Sequence, residues 1–364
     1  MVEVVDDTSK TRAPMKYFLE DAPPAAKKLE LGQFVKSSQH AHWLQHPEWV
    51  EISGRTRPRQ YLYFWGEEGG QIQISALVRR VRLPVLGWAK DSVERGPVCD
   101  SIDLMMDALP RLAQMLEACG SVSLTVNPYW FDPEVGKIES LLESAGFFQV
   151  DRTSAPHAAS LVIDLTPSTE EILKGFKKKT RYEIRKAEKL GVEVAPARDE
   201  DDLNAFYRLY RATALARGQK PLAEEYLGRL WKVLLRDQRD GLCLMARYQG
   251  ELISADIVLK HGARVEDTYG PSLLEKWPEV PKNHLCVWYA VQWAKERGCR
   301  AYDLGGVMVD AEQGSQIAGV NRYKLGFSDW QVRLVREHER IFHPIRNRWL
   351  SRVTSFRGQM LPTG

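Results

Sequence analysis

Four landmarks recur along the chain at a nearly constant separation, and this recurrence restricts the possible folds more than any single motif does. The first is a turn glycine followed by an alternating strand, GGQIQISALVRRV and then QGELISADIVLKHG, with Ala76 and Ala255 179 positions apart. The second is a strand end, ERGPV and then TYGPS, with Gly96 and Gly270 174 apart. The third is an amphipathic helix closed by glycine and followed by a strand, with Gly120 and Gly298 178 apart. The fourth is a Gly-Phe pair, in LLESAGFFQV and NRYKLGFSDWQV, with Gly146 and Gly326 180 apart. Each pattern alone is common at a strand or helix end. Four in one order at nearly one offset imply a tandem duplication, each copy a mixed α/β layer with a helix crossing between strands. Glycine after a helix is expected as a left-handed C-terminal cap, and the adjoining Phe147 and Phe327 are expected to dock on the core.

A length of 364 residues suits two domains, each able to bury a core of its own. The junction falls in TSAPHAASLVIDLTPSTEE, where Pro156 and Pro167 bracket a strand from Leu161 to Leu165. The domains are therefore expected at 1–155 and 156–330, with 331–364 packing back onto the first. Ser168 and Glu171 then open a helix as a capping box. No apolar run reaches the roughly 18–20 residues of a membrane span, and the acidic, polar N-terminus is unlike a signal peptide, so a soluble cytoplasmic protein is expected. The five cysteines are scattered without a CxxC pair, which suggests neither a disulfide framework nor a zinc site. His40, His42 and His46 cluster near Trp43 and Trp49, where a surface loop accounts for them as well as a metal site does; no metal is expected. The eleven tryptophans and thirteen tyrosines exceed the needs of a core, and some are expected to line a groove.

The net charge is only +3, yet residues 174–189, KGFKKKTRYEIRKAEK, carry eight cationic side chains against Glu183 and Glu188. On one helix starting near Thr169, Ile172, Phe176, Ile184, Ala187 and Leu190 form an apolar stripe, while Lys174, Lys178, Arg181 and Arg185 form a row on another face. Like charges at such spacings repel by a few tenths of about 1 kcal/mol per pair, so the row favours an anion laid across it. Arginine forks and lysine point charges suit phosphate, and Tyr182 among them suits a base or sugar. A solvated lysine-rich face is the competing reading. With so small an overall charge, a broad non-specific nucleic-acid footprint, such as a DNA-binding surface, is not expected.

Near the end of the second copy, AYDLGGV brings Asp303 and the pair Gly305-Gly306 to a strand end where backbone can approach a ligand. A polar loop follows, then Asn321, Tyr323 and Lys324 just before the Gly-Phe pair. A lysine held by a short helix at the mouth of a sheet can stabilise a developing oxyanion, the alternative being an ordinary exposed helix lysine. There is no GxSxG, no HExxH and no paired Cys and His, so direct transfer between two bound substrates fits the inventory best.

Taken together, WLQHPEW, KKKTRYEIRKAEKLGVEV, TYGPS, YDLGGV and NRYKLGF resemble the Fem family of peptidoglycan-bridge aminoacyltransferases over roughly residues 40–340. The resemblance implies two tandem acyl-CoA N-acyltransferase (GNAT)-like domains, an α/β (α+β) fold with a cleft between them. It implies transfer of an amino acid from aminoacyl-tRNA, a co-substrate and not a resident cofactor, to an amine of a peptidoglycan precursor or similar acceptor. Lys324 is then the catalytic lysine. Tyr269 and Tyr323 line the acceptor or acyl channel, and Trp43, Trp49 and Arg55 join them as substrate-binding candidates with Asp303, Gly305 and Asn321. Lys178, Arg181, Tyr182 and Arg185 become the contacts to tRNA or precursor phosphate. A transient contact with the membrane surface is compatible with such an acceptor.

Three departures from the family pattern stand out. Where many members have a lysine after the LQxxxW tryptophan, this chain has Ser53, with Arg55 and Arg57 nearby. It has no long heptad hairpin in the second half. It also lacks the glycine-rich loop with which acetyltransferases hold the pyrophosphate of coenzyme A, which counts against the enzymatic alternative, an acyl-CoA-dependent N-acyltransferase of envelope polysaccharide or natural-product assembly. A non-catalytic phosphate-binding module is the alternative of another class.

Overall fold

The computed structural model describes residues 14–54, 59–83, 87–150, 159–273, 276–307 and 316–349. The first half comprises β1 (Lys16–Glu20), α1 (Ala25–Ser37), α2 (Trp49–Ser53), β2 (Arg59–Glu68), β3 (Gln71–Leu83) and β4 (Trp88–Glu94). It continues through α3 (Ile102–Ala118), β5 (Ser121–Asn127), α4 (Val135–Ser144) and β6 (Phe148–Gln149). The second half opens with β7 (Ala159–Asp164), α5 (Thr169–Gly175), α6 (Lys178–Leu190), β8 (Glu193–Pro196), α7 (Glu200–Ala216) and α8 (Glu224–Leu230). Then come β9 (Gly241–Tyr248), β10 (Glu251–His261), β11 (Arg264–Tyr269), α9 (Asn283–Glu296), β12 (Ala301–Gly306) and α10 (Gln316–Lys324). Two short strands, β13 (Gln331–Arg333) and β14 (His338–Ile341), come next, and residues 344–349 are helical.

These strands form two seven-stranded sheets, β1-β2-β3-β4-β5-β14-β6 and β13-β7-β12-β11-β10-β9-β8. The duplication is visible residue by residue. Both hairpins turn through two residues at positive φ, Gly69 (59°) and Gly70 (81°) in one and Gln249 (50°) and Gly250 (79°) in the other. That geometry matches the twist of the flanking strands. The isolated bridge between Ser75 and Val98 recurs between Ser254 and Ser272, the same two places shifted by 179 and 174. In each half a buried helix, α3 or α9, then crosses to a strand parallel to the one before it.

Gly120, Gly146 and Gly298 adopt the left-handed cap conformation, with φ of 83°, 81° and 71°. Phe147 and Phe327 are buried in the first and second cores respectively. Gly326 occupies the matching place in the second copy for another reason. It has no left-handed φ, and a Cβ there would collide with Oγ1 of Thr180 on α6, so close approach and not backbone conformation excludes a side chain.

The expected single helix from Thr169 is instead two. The capping box of Ser168 and Glu171 starts α5 as anticipated. At Phe176 (ψ 150°) and Lys177 (ψ 149°) the chain becomes extended before α6 begins. The break lets Phe176 drop into the second core against Trp288 and Phe327, at ring separations of 5.7 and 5.2 Å. The Lys177 amide there donates to the Gly326 carbonyl at 2.9 Å. Lys174 thus lies on a different helix from Lys178, Arg181 and Arg185, and the four-membered row is not continuous. Of the apolar stripe, Leu190 remains exposed and the other four are buried.

The halves share a third core, in which Leu31, Trp49, Ile52, Tyr63 and Trp65 meet Phe206, Leu230, Trp231, Met245 and Ile257. After β13 has added to β7, the chain crosses back and β14 inserts between β5 and β6. Bidentate contacts from Arg333 to Asp132 and from Arg336 to Glu139 tie this return segment to the first half. Among the described residues, no helix is long and apolar enough to cross a membrane.

Candidate active site

The two sheets differ where their parallel strands meet. In the first, β4 and β5 stay paired from Ala89–Ser121 to Glu94–Asn127. In the second, β11 and β12 pair only from Arg264–Ala301 to Glu266–Asp303 and then part. The cause is local: β12 has an irregularity between Asp303 and Gly306, and Gly305 sits at φ 80°, a conformation that side chains resist. The strand ends therefore leave a gap.

Lys324, the last residue of α10, fills the mouth of this gap. Its Nζ donates to the Gly306 carbonyl at 2.9 Å and would lie 3.2 Å from a Cβ on Gly305. Burial pushes its pKa down, while Asp267, Asp303 and Glu266 push the other way. Three carboxyl groups thus bear on a single amine, and a fourth, Asp256, stands behind Asp267. Asp256 and Asp267 hydrogen-bond to each other; burial and then Asp267 raise Asp256, while burial raises Asp267 to about 6 against the opposing pull of Lys324 and of the bond with Asp256. Asp303 is raised to about 6, chiefly by burial, and its Oδ1 accepts from the Gly305 amide at 2.8 Å. That bond helps hold the turn that parts the strands.

Glu266 behaves in the opposite way. Burial opposes its charge, but the hydrogen bond from His42 Nε2 at 3.0 Å, with the electrostatic pull of His42, His261 and Arg95, keeps it far below the ordinary carboxylate range; Trp43 Nε1 also donates to it at 3.0 Å. His42, His261 and Glu266 present ligand atoms within 4.8 Å of one another, a spacing that a metal ion would tolerate. The donor set argues against one. His42 Nδ1 accepts from the Leu44 amide at 3.2 Å, so its proton sits on Nε2 and points at Glu266, leaving no lone pair for a cation. The group is a hydrogen-bonded joint between the N-terminal segment and the second sheet. This corrects the surface-loop reading of the histidines: His42 and His46 are buried, and His40 stacks on Trp130 at 3.5 Å.

Around the joint stands an aromatic wall. Trp43 meets Trp49 edge-on at 4.2 Å, Trp49 meets Tyr226 at 6.0 Å, and the hydroxyls of Tyr226 and Tyr269 lie 3.3 Å apart. Three substrate-binding candidates, Trp43, Trp49 and Tyr269, are thereby brought together, although Trp49 is mostly enclosed in the shared core. Asn321 and Tyr323 ride on α10 beside Lys324. The Tyr323 ring packs on His284 and Phe327. Arg55 lies outside the described residues. Beyond the wall, a pocket of about 690 Å³ opens between α1, α2 and α8, with Lys28, Lys36, Tyr63 and Arg229 among its walls.

The basic stretch abuts the same region. The start of α6 rests on Gly326, two residues beyond Lys324, and Lys179 is close enough to His284 to help burial lower that histidine to about 4. Lys178, Tyr182 and Arg185 are exposed. Arg181 is not: its Nη1 donates to the carbonyls of Lys174 and Phe176, capping the end of α5. Arg181→Ala is expected to lower stability by about 1 kcal/mol in urea denaturation, and Arg185→Ala to leave it within error, because only the first removes hydrogen bonds within the fold. Equal effects would assign both to one role.

Sequence reasoning named Lys324, Asp303, Trp43 and Tyr269, which the structure places around the gap and its aromatic wall, but did not name Asp256, His261, Glu266 or Asp267. The available signal was a carboxylate inside the otherwise apolar run ISADIVL, and two adjacent acids in the short strand RVEDTY. A charge in such a setting is costly unless it has a partner or a task.

Comparison with known proteins agrees with this architecture. The FemAB family model matches residues 26–233, and an acetyltransferase (GNAT) domain model matches residues 174–325. A UDP-N-acetylmuramoylpentapeptide-lysine N(6)-alanyltransferase of Weissella viridescens is 26% identical over 298 residues, covering 78% of this chain and 85% of that protein. The crystal structure of FemX superposes with a TM-score of 0.79 at 16% identity, over 88% of this chain and 98% of that one. A tandem GNAT protein from the clavulanic acid biosynthesis pathway gives 0.51 at 12% identity, over 90% and 98%. Both structural likenesses speak to the fold, two GNAT-like domains in tandem. With a family model covering more than half its length, the chain belongs to the FemAB family and is an aminoacyltransferase.

Proposed function

We propose that the protein moves an amino acid from aminoacyl-tRNA to an amine of a peptidoglycan precursor, forming an amide bond. The observation that carries this reading is the Lys324 ammonium in the gap between β11 and β12, where it meets backbone and no competing nucleophile. In the proposed reaction the acceptor amine attacks the ester carbonyl. The C–N bond forms, the ester C–O bond breaks, and the leaving ribose hydroxyl takes up the proton that the amine gives up. Negative charge gathers on the carbonyl oxygen between these events, and a part-buried ammonium at the mouth of the gap stabilises it.

The exposed cations of α6 beside the gap support a polyanionic donor. The pocket beyond the aromatic wall, with Lys28 and Arg229 as well as Glu48 and Glu51 on its walls, has the volume of a nucleotide-sized ligand, which supports a phosphorylated acceptor. The Weissella relative is named for an acceptor of that kind. Pure protein supplied with radiolabelled aminoacyl-tRNA or radiolabelled acyl-CoA, each with candidate amines, tests the donor. Label is expected in the amide product from aminoacyl-tRNA only. Consumption of acyl-CoA in its place would replace this reading with that of a CoA-dependent N-acyltransferase.

A further inference from the structure

The gap holds more acid than a single lysine needs. Asp256 is 2% exposed, and its Oδ1 has no hydrogen-bond partner. The hydroxyls of Tyr302, which is fully buried, and of Tyr323 are unpartnered too, and both tyrosines feel Asp256 and Asp267. Buried acceptors and hydroxyls rarely go unpaired without a ligand or solvent to meet them. These groups share the α9 side of the sheet, whereas Glu266 is already committed to His42 and Trp43 on the other. Asp267 is part-buried, not fully enclosed, so it forms the outer edge of the cluster. The Asp256 Oδ1 would lie 3.8 Å from a Cβ on Gly270, so the missing side chain at that strand end leaves room beside the carboxylate.

We propose that Asp256 and Asp267, with the hydroxyls of Tyr302 and Tyr323, form the subsite that receives the α-ammonium of the transferred amino acid. The inference rests on the reading of Lys324 as the point of acyl transfer. In an aminoacyl ester the α-nitrogen is two bonds from the carbonyl carbon, so the group that binds it must lie next to the group that steadies the oxyanion. Asp267 is the leading charged neighbour of Lys324. Two hydrogen-bonded carboxyl groups share a proton and keep one negative charge, complementary to one incoming ammonium. An ammonium brings three donors to acceptors that otherwise lack them. A plain acyl group brings none and leaves Asp256 unsatisfied, so the subsite selects an amino acid over an unsubstituted acyl group.

The probes are 3′-alanylamino-3′-deoxyadenosine and 3′-propionylamino-3′-deoxyadenosine, stable mimics of the tRNA terminus that differ only in the ammonium group. Wild-type protein is expected to bind the alanyl compound about 100-fold more tightly by calorimetry, in line with sites built to hydrogen-bond a polar group. Asp256→Asn combined with Asp267→Asn, nearly isosteric and checked for folding by thermal melting, is expected to reduce that preference to about threefold or less. Equal binding of the two compounds by wild-type protein overturns the subsite without any variant, as does a preference that survives the double substitution. Lys324→Ala separates the two levels. Turnover lost in Lys324→Ala with preference unchanged in the double variant rejects the subsite alone, whereas turnover retained in Lys324→Ala removes the underlying reading as well.

Discussion

Lys324→Ala is expected to lower kcat by about 10²–10³-fold, the usual consequence of removing one preorganised donor from a developing oxyanion. KM should change much less, because the ammonium interacts with charge that is absent from the bound ester. The native fold should survive. Lys324 ends its helix, contributes one hydrogen bond to Gly306, and leaves behind a glycine-lined gap that water can enter. Arginine should not restore activity. The space between Nζ and Gly305 is already tight, and a planar guanidinium needs more room than a point charge. Single-turnover rates with circular dichroism of the same samples decide the matter. A variant within threefold of wild type would move the chemistry elsewhere.

The largest expected loss of stability comes from the first half. Arg80 and Asp91 face each other across β3 and β4 with side chains 1% and 0% exposed, joined by Nε–Oδ1 and Nη2–Oδ2 contacts of 2.8 and 2.7 Å. Each charge is stable there only because the other is present. Asp91→Ala strands a guanidinium in the sheet and is expected to cost about 3–5 kcal/mol in urea unfolding. Replacing both partners, Arg80→Met with Asp91→Leu, should restore most of that loss, since the pair's attraction roughly balances its desolvation. If the double variant is no better than the single, the arginine stem and not the charge carries the stability.

The same contrast between local and non-local causes explains what could be read from the residues alone. The duplication was legible because each landmark obeys a rule within a few residues: a two-residue turn at Gly69-Gly70, a cap at Gly120 or Gly298, a capping box at Ser168. The end of the site carried by YDLGG and Lys324 was legible for the same reason. The helix break at Phe176 was not, since helical periodicity continues through it and only the attraction of Trp288 and Phe327 in the folded core overrides it. Nor was the engagement of Arg181, whose spacing fits the cationic row while its guanidinium turns back to cap α5. The acid cluster needed topology. Asp256 and Asp267 belong to neighbouring strands, Glu266 points to the opposite face from Asp267, and its partners His42 and Trp43 are more than two hundred residues away. The identical offsets at Gly326 and Gly146 also concealed two different reasons for glycine.

The place of β14 bears on how the molecule comes to exist. Synthesis proceeds from the N-terminus, and domains generally fold as they emerge. Among the described residues, β6 is held to its sheet through β14 alone, which is made almost two hundred residues later. As the chain leaves the ribosome, the leading half must wait half-closed, with one side of β5 uncovered, until the trailing half has been made and its last strand slots home. The portion translated first is thus the portion completed last, and a nascent chain halted before residue 338 would present an open strand edge, the kind of surface that chaperones bind.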